Sequence, residues 1–392
     1  MNRREALFSG RRIGLVVNQA DLLIFHRLEL ACALRDLNVQ LTIFCPAQSG
    51  EEKLIEHGFK VVTYPLSRSR GNPFAEIRSF LALSQLYRDH ALDLVHHVTI
   101  KPVLYGTRAA RRRGVPSVVN ALPGLGYMYT DEGLIAALRR LITNAMYRLF
   151  MRHQAMRVIF QNSEDRDAFV RRGLVPALDA VIIRGSGVDL NRFSQTALPP
   201  EPVSFLLISR MLADKGVREF VSAARVLLQE FPTWRFCLLG GVDLGNPSGL
   251  RREVLESFCR DGIEWLGHRD DVAEQIAAHH VIVLPSYREG MPKTLLEAAA
   301  SGRPIITTDT PGCRDIVRDR VNGLLVPPRD VVALIEAMRR LGENHSLRER
   351  MGHASRTRAT AFSVEDVVEH TLRVYATLLE EQHMEAPEEV IA

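Results

Sequence analysis

The sequence predicts an α/β protein made of two doubly wound, Rossmann-like domains with a ligand cleft between them. Three observations predict it. At 392 residues the chain exceeds one ordinary core and suits two. Short apolar runs alternate with helix-periodic segments twice along the chain, which is the pattern of repeated strand–helix units on a parallel sheet. A proline-rich stretch without periodicity, RFSQTALPPEP (192–202), separates the two series and reads as a linker.

The first domain is expected over 1–191. RIGLVVN (12–18) reads as a buried strand, 23–37 as a helix and VQLTIFCP (39–46) as a second strand. GFKVVTYP, a helix near 73–89 and LDLVHHV (92–98) continue the alternation. TRAARRRG closes a helix and VPSVVNA is the next strand. A long helix is expected over 133–154, then a strand at 157–163 and a short helix. The second domain is expected over 203–364. VSFLLISR (203–210) and WRFCLLGG (234–241) are strands, followed by IEWLG, HVIVLP (280–285), PIITTD and GLLVP. A last helix is expected at 365–383, ahead of an acidic, disordered tail at 384–392.

Composition narrows the class. With 46% apolar and 24% charged residues the chain has the profile of a soluble globular protein. No run of about 18 apolar residues offers a spanning helix. The basic start MNRREALFSG leads only into a short apolar stretch, so a cleaved signal peptide is not expected. Five cysteines, an odd number without CxxC spacing, disfavour structural zinc or a disulfide framework and fit a reducing cytosol. The doublets His96-His97 and His279-His280 have no ligand-spaced partner nearby and read as solvated or hydrogen-bonded. Charge is uneven: residues 1–200 hold 27 Lys/Arg against 17 Asp/Glu, the remainder 23 against 29. The basic first half suits an anionic partner, with plain solubility as the bland alternative.

The segment SYREGMPKTLLEAAASGRPIITTD (286–309) concentrates the chemistry. Glu289 falls in the loop between a strand's carboxyl end and a helix N-terminus, where open α/β sheets bind ligands. Pro292 suits the first helical position, because its missing N–H would have no partner there anyway. Backbone amides around Gly290, Met291 and Lys293, aided by the helix dipole, favour a phosphate. Glu297, about one turn further in, can accept bonds from vicinal hydroxyls. A second cluster, ISRMLADKG (208–216), puts Arg210 and Lys215 at the same sheet edge, two cations able to meet a diphosphate. Spacing alone favours the plainer reading, a helix-terminal charge and an ordinary amphipathic helix; the two clusters together compose a nucleotide-sugar site.

With these residues in view, the sequence resembles the retaining glycosyltransferases of family 4, which have the GT-B fold. The match runs through EGMPKTLLE, SRMLADKG, LGHRDDV and PGCRDIV…NGLLVPPRD, across nearly all of the second domain. The first domain fits more loosely, through FHRLELACAL, DLVHHVTIKPVLYGTRAAR, PGLGYMYT and GSGVDLNRF. This set looks like bacterial enzymes that extend polyprenyl-diphosphate-linked saccharides, notably N-acetylgalactosaminyl and related hexosaminyl transferases. The resemblance implies that Arg210 and Lys215 hold the donor diphosphate and that Glu289, with Gly290, Met291 and Pro292, meets the sugar. It implies that Glu297 binds the ribose. It also implies a UDP-sugar donor, a lipid-linked acceptor in cell-envelope polysaccharide synthesis, same-face transfer without obligatory metal or cofactor, and a last helix crossing back to the first domain. The expected location is the inner face of the plasma membrane, as a peripheral cytoplasmic protein.

Two departures limit the transfer of roles. The first β–α loop, VNQADLLIFHR, lacks the glycine pair common in relatives. NALPGLG stands where many carry a histidine. His26, Arg27 and Lys101 are candidates for the acceptor diphosphate or sugar, and Asn120, Gly124 and Gly126 for lining that side. The helix at 133–154 carries Arg139, Arg140, Arg148 and Arg152 with no acid, and apolar faces, so it is a candidate contact with an anionic membrane surface; a core helix with solvated arginines is the alternative. No G-x-G-x-x-G follows the first strand, and no phosphate-loop G-K-[ST] or H-E-x-x-H is present. Asp165-Arg166-Asp167 opens a helix and reads as dipole-complementing charge. Nucleic acid is not an expected partner, since aromatics do not interleave the basic runs. The rival functions are a GT-B-shaped nucleotide-sugar 2-epimerase and a non-catalytic sugar-nucleotide or lipid-binding subunit.

Overall fold

The computed structural model describes residues 3–66, 73–124 and 134–385. The chain divides into two compact units, 1–186 joined by 365–392, and 187–364.

In the first unit the elements run α1 (Arg3–Phe8), β1 (Arg12–Val16), α2 (Ala20–Asp36), β2 (Gln40–Cys45), α3 (Glu51–Glu56), β3 (Lys60–Thr63), α4 (Pro73–His90) and β4 (Leu94–Val98). They continue with α5 (Thr107–Arg113), β5 (Ser117–Leu122), α6 (Leu134–Phe150), β6 (Met156–Phe160), α7 (Ser163–Arg171) and β7 (Ala180–Ile182). The seven strands are parallel in the order β3-β2-β1-β4-β5-β6-β7. Strand residues alternate between two apolar layers, as a sheet covered on both faces requires. Ile13, Leu15, Ile43 and Leu94 meet α1 and α2 on one face. Phe44, Val95, Val118 and Phe160 meet α4, α5, α6 and α7 on the other.

The second unit runs β8 (Ser204–Ile208), α8 (Val217–Glu230), β9 (Arg235–Leu239), α9 (Arg252–Cys259), β10 (Glu264–Trp265), α10 (Val272–Ala277), β11 (Val281–Leu284) and α11 (Lys293–Ala300). It ends with β12 (Ile305–Thr308), α12 (Cys313–Ile316), β13 (Gly323–Val326), α13 (Val331–Glu343) and α14 (His345–Ala359). Its six parallel strands lie in the order β10-β9-β8-β11-β12-β13. In both sheets the strand order reverses beside the first strand, between β1 and β4 and between β8 and β11. Loops leaving those neighbours diverge and open a crevice at the carboxyl edge.

The last helix, α15 (Val364–Glu385), covers the first sheet. Tyr375, Leu378 and Leu379 are buried in its core. The Tyr375 hydroxyl bonds His96 Nδ1 at 2.5 Å, and Arg4 bridges Glu369 at 2.6 Å.

Residues 192–202 form no helix or strand, yet they belong to the second unit. Three arginines hold them. Buried Arg303 donates to the Thr196 carbonyl (2.8 Å), Thr196 Oγ1 (2.6 Å) and the Ala197 carbonyl (3.0 Å). Arg348 bridges Glu201 at 2.6 Å, and Arg356 donates to the Phe193 carbonyl at 2.9 Å. These guanidiniums replace the hydrogen bonds that an irregular segment cannot make with itself.

Both histidine doublets are hydrogen-bonded. His97 lies between Tyr87 (2.9 Å) and Asn120 (2.8 Å), and burial pulls its pKa down to about 3. His280 bonds Ser204 Oγ at 3.0 Å. Asp165 stands in the first turn of α7, as expected: its amide donates to the capping Asn162 side chain at 2.8 Å and its carboxylate accepts from Asn162 at 3.1 Å. All five cysteines are free. Among the described residues no helix is long and apolar enough to cross a membrane.

Candidate functional site

The second sheet positions the predicted residues through its switch point. Arg210 follows β8 and Glu289 follows the neighbouring β11, so the two loops leave the same edge side by side. A short turn, Ala213–Lys215, ends at Gly216, whose φ is +75°. A Cβ there would lie 2.1 Å from the Pro285 carbonyl oxygen, so glycine is what lets the Lys215 loop close on the end of β11. The Tyr287 amide then donates to the Asp214 carbonyl at 2.9 Å, and the Tyr287 hydroxyl to Glu219 at 2.6 Å. The Arg329 guanidinium covers the Tyr287 ring at 4.5 Å.

This stitching brings Lys215 Nζ to 2.5 Å from Glu289 Oε1, with only 22% and 11% of the two side chains exposed. The Glu289 loop is backed by Gly312 (φ +76°), where a Cβ would lie 2.2 Å from the Gly290 carbonyl oxygen. The neighbouring Cys313 thiol is pushed up to about 11 by burial, with the Glu289 charge adding to the shift. Arg210 lies in the same loop system but is turned to another carboxylate, Asp243, at 2.7 Å. Asp243 belongs to the segment after β9, which is zipped to the 210–214 loop by Ala213 N–Ser248 O (2.8 Å) and a bond from the Ser248 hydroxyl to Asp214. Both cations expected to meet phosphate therefore hold internal carboxylates.

Pro292 sits one residue earlier than expected: it is the cap of α11, with φ −72° and ψ 115°, and the helix begins at Lys293. No side-chain capping bond forms at this terminus. Gly290, Met291 and Pro292 are buried behind it. Glu297, in the second turn, is 3.8 Å from Lys293 Nζ. Burial raises its carboxyl to about 7, against the opposing pull of Lys293 and Arg192. Four side chains given no role in the sequence reading thus belong here: Asp243, Tyr287, Lys293 and Arg192. Only Lys293, one turn from Glu297 and of opposite charge, left a signal that spacing could find.

The acceptor-side candidates fare unevenly. His26 is exposed near the start of α2 and bonds Ser186 Oγ at 3.0 Å. Lys101, just after β4, is held by Glu76 at 2.6 Å. Gly124 is half-buried after β5, and Gly126 lies outside the described residues. Two candidates need correction. Arg27 is buried beneath α2 near Tyr375, and burial lowers its pKa, so it presents no cation at the surface. Asn120 is fully buried; its carbonyl accepts from Thr107 (3.0 Å) and faces His97, and its amide reaches Met156 Sδ at 3.3 Å. It belongs to the core network, not to an open edge. A residue missed from sequence is Thr99, at the carboxyl end of β4. Its φ of +77° is strained for a β-branched side chain, and its buried hydroxyl has no hydrogen-bond partner among the described residues. The register Val16–His97 places it opposite Asn18, whose buried side-chain oxygen is likewise unpartnered.

Two parallel-sheet Rossmann-like units, with paired cations and carboxylates at a switch point, define a GT-B glycosyltransferase fold. The Glycosyl transferase 4-like family model matches residues 12–162, and the Glycosyl transferases group 1 model matches 202–344. The chain belongs to this glycosyltransferase family. It is 28% identical over 377 residues to the N,N'-diacetylbacillosaminyl-diphospho-undecaprenol alpha-1,3-N-acetylgalactosaminyltransferase of Campylobacter jejuni, covering 93% of this chain and 98% of the relative. It is 25% identical over 285 residues to the Escherichia coli UDP-Gal:alpha-D-GlcNAc-diphosphoundecaprenol alpha-1,3-galactosyltransferase, covering 69% and 72%. In fold it is similar to a sucrose-phosphate synthase from Thermosynechococcus elongatus (TM-score 0.77, 20% identity, 95% of this chain and 100% of the other). It is similar also to Anabaena Alr3699/HepE in complex with UDP (TM-score 0.73, 18% identity, 93% and 100%).

Proposed function

We propose that the protein is a retaining hexosyltransferase that moves an N-acetylhexosamine from a UDP-sugar to a polyprenyl-diphosphate-linked saccharide in envelope polysaccharide synthesis. The observation that carries the reading is the Lys215–Glu289 contact at the β8/β11 switch point, beside the cap of α11. The likeness to enzymes whose names specify diphospho-undecaprenol acceptors supports the acceptor class.

In this reading the diphosphate displaces Glu289 from Lys215 and Asp243 from Arg210, and draws on the amides at Gly290 and Met291. Glu289, released, accepts hydroxyls of the transferred sugar, and Glu297 those of the ribose. The bond from the anomeric carbon to the β-phosphate oxygen breaks and its electron pair stays on that oxygen. The acceptor hydroxyl oxygen bonds the anomeric carbon on the same face, and its proton passes to the departing oxygen. Negative charge grows on the phosphate as the sugar becomes cation-like, so two fixed cations stabilise the transition state more than the ground state. The proposed step requires no metal or cofactor. The acceptor is assigned to the first unit, whose exposed His26 and strained Thr99 mark its carboxyl edge, and the protein to the cytosolic membrane face.

The test is product analysis with UDP-N-acetylhexosamines and a polyprenyl-diphosphate saccharide, with and without EDTA. UDP release that depends on the acceptor, with the donor's anomeric configuration kept in the product NMR spectrum, is expected. Conversion of the donor without acceptor would indicate an epimerase. No UDP release under any condition would indicate a binding subunit. An inverted product would remove the same-face step.

A further inference from the structure

The helix predicted over 133–154 faces outward the wrong way for a core helix. Leu138, Leu141, Ile142 and Leu149 of α6 are each 54–62% exposed, while Tyr147 and Met151 fill the core. Exposed Arg148 lies beside that outer stripe, two turns from Leu141, and exposed Arg152 follows just beyond the helix end at Phe150. The apolar residues, not the arginines alone, face solvent.

The same inversion occurs on α4, where no sequence signal singled it out. Phe74, Ile77 and Leu81, at helical spacing, are 82%, 55% and 53% exposed, with exposed Arg78 among them, while Leu83 and Tyr87 point inward. Between these helices lies α5, with Arg111 and Arg112 exposed. Arg113 Nε bonds the Ser84 carbonyl of α4 at 3.0 Å, and Arg108 covers the Phe150 ring of α6 at 6.0 Å. All three helices cover one face of one sheet. Their outer surface is therefore continuous: two apolar stripes flanking an arginine band.

We propose that the outer surface of α4, α5 and α6 is the docking face for an anionic lipid bilayer, seating both apolar stripes between headgroups and the arginine band on lipid phosphates. Charge complementarity selects the occupant. Neither α5 nor the described part of α6 carries an acid. On α4, Glu76 is engaged by Lys101 and Asp89 by Gln85 (2.9 Å). Apposing two copies of this face would set arginine against arginine, whereas an anionic surface meets every cation and accepts the leucines. The proposal rests on the lipid-borne acceptor for its purpose and on the exposed residues for its evidence.

The experiment is sedimentation of the full chain with vesicles of equal parts phosphatidylglycerol and phosphatidylcholine, against phosphatidylcholine alone, at low salt. The wild type is expected to bind the anionic vesicles only. R111E/R112E lowers partitioning by at least about 25-fold, from about fivefold per basic residue. I77S/L81S and L141S/I142S each lower it about tenfold and leave its salt dependence unchanged. Melting temperatures and turnover on a water-soluble acceptor analogue stay as in wild type. Absence of wild-type binding, or equal binding by all three variants, would overturn the proposal. So would a wild-type dimer in analytical ultracentrifugation that I77S/L81S dissociates. Loss of turnover on every acceptor, with vesicle binding intact, would instead count against the proposed reaction.

Discussion

Glu297 offers a quantitative test, because its burial is visible in proton linkage. Its carboxyl rises from the ordinary 4.5 to about 7 in the folded, ligand-free chain. The raised value means that the folded state holds a proton that the unfolded state releases. Between about pH 4.5 and 7 the folded chain thus binds more protons, and stability falls as pH rises. Above that window the folded protein carries a carboxylate that is only 13% exposed, with Lys293 at 3.8 Å as partial compensation. The full penalty is at most about 3–4 kcal/mol, from about 1.4 kcal/mol per tenfold in proton affinity. E297Q removes the titration, so the variant gains stability relative to wild type as pH rises from 5 to 8. Urea unfolding at several pH values reads this directly. Ligand binding reads it with the opposite sign. At pH 6 about one Glu297 in ten is ionised, so a carboxylate that accepts ribose hydroxyls binds a UDP-sugar about tenfold more weakly there than at pH 8. A UDP-sugar is the right probe, since its diester phosphates do not titrate in this range. Parallel stability–pH curves for wild type and E297Q, with equal UDP-sugar affinity at pH 6 and 8, would refute the reasoning.

Three further outcomes are expected. E289Q lowers kcat by about 10²–10³ with an unchanged circular dichroism spectrum, as for loss of one fixed group at a developing charge; wild-type turnover would exclude Glu289 from the sugar. D243N releases Arg210 and tightens UDP-sugar binding by up to about fivefold in calorimetry, the upper worth of an exposed ion pair; weaker binding would make Asp243 a ligand contact instead. R303A leaves the Thr196 and Ala197 carbonyls without their donor and costs about 2–4 kcal/mol in urea unfolding; a change below about 1 kcal/mol would show that the segment is held by other contacts.

Much of the fold was legible because strand and helix periods differ. Every strand expected from an apolar run, from RIGLVVN to GLLVP, is present within two or three residues of its expected bounds. Short elements escaped: α1, at the basic start, and β7, three residues of an edge strand, are too brief for a period to register. The Lys215–Glu289 half of the site was legible since strand ends and helix starts can be placed from sequence, and both residues fall there. The Arg210–Asp243 pairing was not, since Asp243 lies in an irregular loop whose position depends on bonds to a distant segment. Segment 192–202 reads as a linker because its partners Arg303, Arg348 and Arg356 lie more than a hundred residues away. Arg27 and Asn120 show the converse error: polarity alone does not say which face a side chain takes, and tertiary partners drew both inward.

The most direct measurement of the central claim is a crystal structure with a UDP-sugar bound. The diphosphate is expected at the carboxyl edge between β8 and β11, with Lys215 turned from Glu289 to a phosphate oxygen and Glu297 on the ribose. A nucleotide bound elsewhere, with the Lys215–Glu289 contact intact, would contradict it.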